Sequence, residues 1–244
     1  MSLYKDKRVV FLFCILVLIY AAVICLEIIP GNQFIGRILK YTAIVACFVL
    51  AVLILEYSIS HDDAKLLIGG LLFTLIADMF FLFTQAAAFG IVSFYFAHLC
   101  YIRRYRRESF KRNLVTVLAV LLFCTVGFLS GLKFPYVFLL GTVYAVLIIT
   151  VTGLAFLSGL PKINKRLAGI GMILFLICDA NVALSFFAPK TGMLYGIADA
   201  LVWIFYIPSQ ALLSLSAADF ERRQASSPGQ NQHPEAGKGR QTKA

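Results

Sequence analysis

The chain has 244 residues, of which 61% are hydrophobic and 14% charged, against ~45–50% apolar and ~25% charged in an ordinary soluble domain. That composition excludes a water-soluble enzyme and predicts a protein whose length counts membrane spans, not soluble domains. The net charge of +10 would suit nucleic acid, but its placement along the chain argues for a membrane topology signal and no nucleic-acid partner.

Apolar segments of spanning length run over 9–29, 38–58, 66–84, 86–102, 114–131, 135–158, 167–187 and 194–217, each near the ~20 residues that cross a bilayer core. They predict an all-α fold, a polytopic bundle of eight transmembrane helices. The first segment lacks a short apolar core with a cleavage site and reads as a retained span. Residues 1–8 form a short N-terminus, 9–217 the membrane domain and 218–244 a tail. From Glu221 the tail is polar and rich in Gly, Pro, Ser and Gln, too poor in apolar surface to fold, and is expected to be disordered.

Eight spans put both termini on one side. Eighteen of the 22 Lys and Arg fall on that side, and only Arg37, Lys40, Lys133 and Lys190 fall on the other. The excess of positive charge marks the cytoplasmic side, so both termini are expected there. The run RRYRRESFKR (103–112) is then a topology signal beside anionic lipid. The six cysteines, Cys14, Cys25, Cys47, Cys100, Cys124 and Cys178, lie in apolar runs with no paired ligand spacing and read as small buried hydrophobes.

Acids inside such a chain need a reason. GLLFTLIAD (70–78) and GMILFLICD (171–179) each place an Asp eight residues after a Gly. The echo suits two parallel four-helix repeats. By helix rise, Asp78, Asp179 and Asp199 lie roughly 9, 12 and 8 Å from the outer ends of their helices. An ionised carboxylate in lipid costs at least ~2.5–3.5 kcal/mol, so these acids should face a bundle interior or a wet cavity.

The helix faces agree. Gly70, Thr74, Asp78 and Gln85 share one stripe, as do Asp199, Trp203, Tyr206, Gln210 and Ser214, at spacings of three, four and seven. Such stripes are expected to line a cavity running inward from the outer leaflet. Pro208 interrupts the last helix and frees the carbonyl of Ile204. His98 and Tyr101 share a face of the fourth helix, with His98 deeper, roughly 18 Å from the outer end. Lys40 opens the second helix near the outer surface, where it meets an anionic head group or an acid, or snorkels. Glu27 and Glu56 sit at helix ends and read as interfacial.

The segments GGLLFTLIADMFFLF, FGIVSFYFAHLCYI, GMILFLICDANVALSFF and FYIPSQALLSLSA stand in the order and spacing of the YhhN-like lysoplasmalogenases, which the chain resembles over about 38–217. The resemblance implies a multi-spanning hydrolase in which Asp78 and Asp179 match the two signature acids. His98 and Tyr101 match the pair on the fourth helix, and Tyr206 and Gln210 the last helix. The chain departs from the family pattern at Ala77, Cys178, Ser185 and Pro208.

The implied reaction is cleavage of the vinyl ether of a lysoplasmalogen to a fatty aldehyde and a glycerophospho-base. A vinyl ether breaks when carbon is protonated and water attacks the resulting oxocarbenium ion. Two carboxyl groups in a low-dielectric site can divide into acid and base for this, as they do in glycosidases. Asp78 and Asp179 are the candidate pair. Tyr206 and Gln210 would position water or the glycerol hydroxyl, and His98 and Tyr101 would support the pocket or shuttle a proton. Lys40, Thr74 and Asp199 complete the candidate site. The expected partners are a lysophospholipid and membrane lipids, with no cofactor and no metal. Localisation would be multi-pass, in the plasma membrane of a bacterium or an endomembrane of a eukaryote. The same residues leave open a proton-coupled transporter or a non-catalytic lipid-binding protein.

Overall fold

The computed structural model describes residues 6–28, 33–84, 86–106, 136–187, 189 and 192–220. The fifth predicted span (114–131), Gln85, Cys124 and the tail from 221 lie outside the described residues. Within them the fold is helical throughout: α1 Lys7–Ile28, α2 Gln33–Ile54, α3 His61–Phe83, α4 Ala87–Arg106, α5 Tyr136–Leu157, α6 Lys162–Phe187 and α7 Met193–Leu215. A short 3-10 turn, Leu55–Tyr57, follows α2.

Six of these seven helices are long and apolar enough to cross a membrane, and α4 is the exception. Its last turn carries Arg103, Arg104 and Arg106. The chain thus has the character of an integral, multi-pass membrane protein. α3 and α6 begin about a turn before the predicted apolar runs. In α3 the extra turn holds Asp62 and Asp63, acids that suit the partial positive charge of a helix N-terminus. An apolar run marks only where hydrocarbon begins, so it misses a polar turn beyond it.

Each helix packs on its chain neighbour where both are described, and α7 returns to α1 and α2. Fully buried Leu50, Leu67, Tyr101, Met172, Phe175 and Leu213 fill the interior. Large apolar side chains such as Phe11, Leu18, Phe34, Phe89, Val146 and Phe186 point outward, as a lipid-facing surface requires. Cys47 and Cys178 are buried as expected, whereas Cys14 and Cys25 are exposed. Both lie on α1, whose apolar surface is mostly turned outward. α4 and α5 run parallel, for Tyr95 donates to the carbonyl of Leu140 at 3.0 Å and the ring of His98 meets that of Tyr144 one turn further along.

Two local devices position the site. Gly70 lets α4 come close: a Cβ there would lie 2.6 Å from a ring carbon of Tyr101. Gly70→Val should therefore force the buried ring aside and destabilise the bundle by ~1–3 kcal/mol. Thermal unfolding of the purified protein in detergent would register this as a lowered midpoint. An unchanged midpoint would mean that the two helices are not so tightly apposed. The second device answers Pro208, which sits inside α7 and leaves the carbonyl of Ile204 without its helical donor. The hydroxyl of Tyr20 on α1 donates to that carbonyl at 3.0 Å.

The end of the bundle near Arg104 is tied by polar contacts. Arg104 is fully buried and binds both carboxylate oxygens of Asp63 at 2.9–3.1 Å. It also donates to the hydroxyl and carbonyl of Ser216 at 2.7 and 3.0 Å. Asn164 donates to the carbonyls of Ser216 and Ala218, and an antiparallel bridge joins Ser58 to Ala218. Beside this knot, hydrogen bonds from Arg8 hold the carboxyl of Asp6 below the usual carboxylate range.

Candidate active site

At the opposite end the helices part around a cavity of about 1530 Å³. Asp78 and Asp179 both line it. Asp78 stands one turn from the end of α3 and is 4% exposed, while Asp179 on α6 is half-buried. Each accepts a hydrogen bond from a tyrosine on another helix. The hydroxyl of Tyr206 on α7 donates to Asp78 Oδ2 at 2.8 Å, and that of Tyr144 on α5 donates to Asp179 Oδ2 at 2.6 Å. Four helices thus contribute to the site, and the sequence had marked residues on three of them, all but α5.

Aromatic rings frame the two carboxyl groups. Phe175 lies 5.5 Å from Tyr206 and 5.6 Å from Phe94, and Phe94 lies 5.9 Å from Tyr144 between centroids. Rings at these separations contribute packing energy beyond area burial, ~0.5–1.5 kcal/mol per pair, and stiffen the wall that carries the acids.

Of the predicted site residues, Lys40, Asp78, Asp179, Asp199 and Tyr206 line the cavity. Thr74, His98, Tyr101 and Gln210 do not. They lie deeper, and all four are fully buried. The ring of His98 packs between Tyr101, Tyr144 and Phe175, and its Nδ1 meets the carbonyl of Phe94 at 2.8 Å. Thr74 and Tyr101 are neighbours on α3 and α4. The amide of Gln210 has no hydrogen-bond partner among the described residues. The polar stripe of α7 therefore lines the cavity only from Asp199 to Tyr206. Beyond that, α7 is gripped by α2 and α6, and Ser214 and Ser209 bond the carbonyls of Cys47 and Gly171.

Lys40 finds an acid. Its Nζ lies 2.6 Å from Glu27 Oε1, 3.9 Å from Asp199 Oδ2 and 4.8 Å from the centre of the Trp203 ring. Glu56, the other helix-end acid, pairs with Arg8 at 3.3 Å. Tyr144 was not legible in the sequence, being a tyrosine in a helix that is apolar all round. Among the described residues, no group of three or more His, Cys, Asp or Glu side chains converges as a metal site.

A membrane bundle with two carboxyl groups facing one pocket defines the class. The YhhN family profile matches residues 35–217, and the chain belongs to the YhhN family. No solved structure matches the chain.

Proposed function

We propose that this protein is a membrane-embedded ether hydrolase that cleaves the vinyl ether of a lysoplasmalogen. The observation that carries this reading is that Asp78 and Asp179, far apart in sequence, line one cavity. One carboxylic acid delivers its proton to the outer carbon of the vinyl ether. The electron pair of the double bond forms the new C–H bond, and the ether oxygen stabilises the oxocarbenium ion. The other carboxylate accepts a proton from water as that water adds to the cationic carbon. The hemiacetal then splits into aldehyde and glycerol hydroxyl, which takes a proton as the C–O bond breaks. Water is consumed and no net proton is used.

Tyr144 and Tyr206 fix the orientation of the two carboxyl groups, and the aromatic wall limits access of bulk water. Two acids lining one pocket also suit proton-coupled transport. One observation favours that second reading: Thr74, His98 and Tyr101 continue the polar side chains inward from Asp78 towards the Asp63–Arg104 pair. We infer an eight-span topology with both termini cytoplasmic. Its support is the apolar run 114–131 in the sequence, the parallel course of α4 and α5, and the bias of Lys and Arg to one side.

A lipid panel separates the readings. Purified protein is offered vinyl-ether, alkyl-ether and ester lysolipids of one chain length, and products are followed by mass spectrometry. Aldehyde from the vinyl ether alone is the expected outcome. Release of free fatty acid from the ester would reassign the chemistry. No product from any lipid, with proton uptake into proteoliposomes, would favour the transporter.

A further inference from the structure

The outer part of the cavity has features that the carboxyl pair does not use. α2 brings Arg37 and Lys40 to its wall, and α7 brings Asp199. Lys40 pairs with Glu27 at 2.6 Å, lies 3.9 Å from Asp199, and as an ammonium keeps further donors to offer. The Asp199 side chain is 43% exposed. Arg37 is exposed and has no ion pair among the described residues. Arg37, Lys40 and Asp199 thus line the same cavity, with Lys40 3.9 Å from Asp199.

Their depth is set by the helix. Asp199 and Tyr206 are seven residues apart on α7, about 10 Å along its axis, and the Tyr206 hydroxyl is on Asp78. The charged rim is therefore one fixed step outward from the acids. In a 1-alkenyl glycerophospholipid about seven bonds separate phosphorus from the outer vinyl carbon. At ~3.6 Å per three bonds of extended chain this path reaches roughly 8 Å. The rim and the acids are spaced as the two ends of that fragment are.

We propose that Arg37, Lys40 and Asp199 form a head-group clamp for a zwitterionic phosphodiester. Arg37 and Lys40 take the phosphate, and Asp199 takes the ammonium of the base. This rests on the ether-hydrolase reading for the identity of the lipid. The clamp places the scissile bond by holding the phosphate, so it selects lysophospholipids over neutral alkenylglycerols. Charge-assisted contacts of this kind are worth about tenfold or more in affinity each.

The test uses saturated ethers, which vinyl-ether chemistry does not cleave. Binding to the purified protein in lipid nanodiscs is measured for three probes of one chain length: 1-O-alkyl glycerophosphoethanolamine, 1-O-alkyl glycerol 3-phosphate and 1-O-alkylglycerol. Arg37→Gln and Lys40→Gln should each weaken the two phosphate probes about tenfold and leave the alkylglycerol unchanged. Asp199→Asn should weaken only the ethanolamine probe, by a similar factor. Arg37 is exposed, so its variant keeps the test decisive should the loss of the Glu27 partner unfold Lys40→Gln. Equal affinity of the wild type for all three probes would overturn the proposal, as would equal weakening of all three by each substitution. Because no probe is turned over, a clamp found without aldehyde release would sink the hydrolase reading alone. Aldehyde release without the clamp pattern would sink the clamp alone.

Discussion

Asp78→Asn and Asp179→Asn should each lower aldehyde release from a lysoplasmalogen by ~10²–10⁴-fold, the range of a lost general acid or base. Asn keeps the shape of Asp and still offers an oxygen to the hydroxyl of Tyr206 or Tyr144, so packing should survive. An unchanged thermal midpoint beside the lost turnover would separate chemistry from folding. If the two acids act as one unit, the double variant should cost little more than either single one. Wild-type turnover in either single variant would remove that residue from the chemistry. Tyr144→Phe and Tyr206→Phe delete only the hydrogen bond that orients each acid, and a loss of about tenfold to a hundredfold is expected.

The largest effect on stability is expected at the other end of the bundle. Arg104 is wholly buried and Asp63 nearly so, with side-chain exposures of 0% and 4%. Removing one partner leaves an uncompensated charge, which costs ~3–5 kcal/mol. Arg104→Met or Asp63→Asn should therefore sharply lower the unfolding midpoint in detergent. Arg106→Ala, an exposed change in the same basic run, should stay within ~0.5 kcal/mol. Replacing both partners by apolar residues should recover part of the loss, because a well-packed apolar pair avoids the desolvation cost. If Arg104→Met unfolds like Arg106→Ala, the buried pair is not holding the helices.

These cases show what was legible in the sequence. Acids in an apolar run announce themselves through desolvation cost, and Asp78 and Asp179 both line the cavity. Pro208 also announced an orphan carbonyl at Ile204, and only its new donor, Tyr20, was out of reach. Arg104 was not legible. It lies among five arginines within 103–112, and charge counting treats them alike. What distinguishes it is the helical face it shares with Tyr101, which the packing of α3 and α7 turns inward. The deeper half of the α7 stripe misled for a related reason. A polar side chain in a span faces either a cavity or another helix, and periodicity alone does not distinguish the two.

The bond from Tyr20 to Ile204 reaches further than its single contact. The match to the family begins at residue 35, whereas Tyr20 and Glu27 belong to α1. Yet Tyr20 caps a backbone oxygen two positions before Tyr206, and Glu27 steadies the lysine at the rim. The first helix thus behaves as a splint, set across the break that Pro208 makes behind the cavity. Trimming the chain to the matched residues 35–217 would leave that break unsupported beside the tyrosine that binds Asp78.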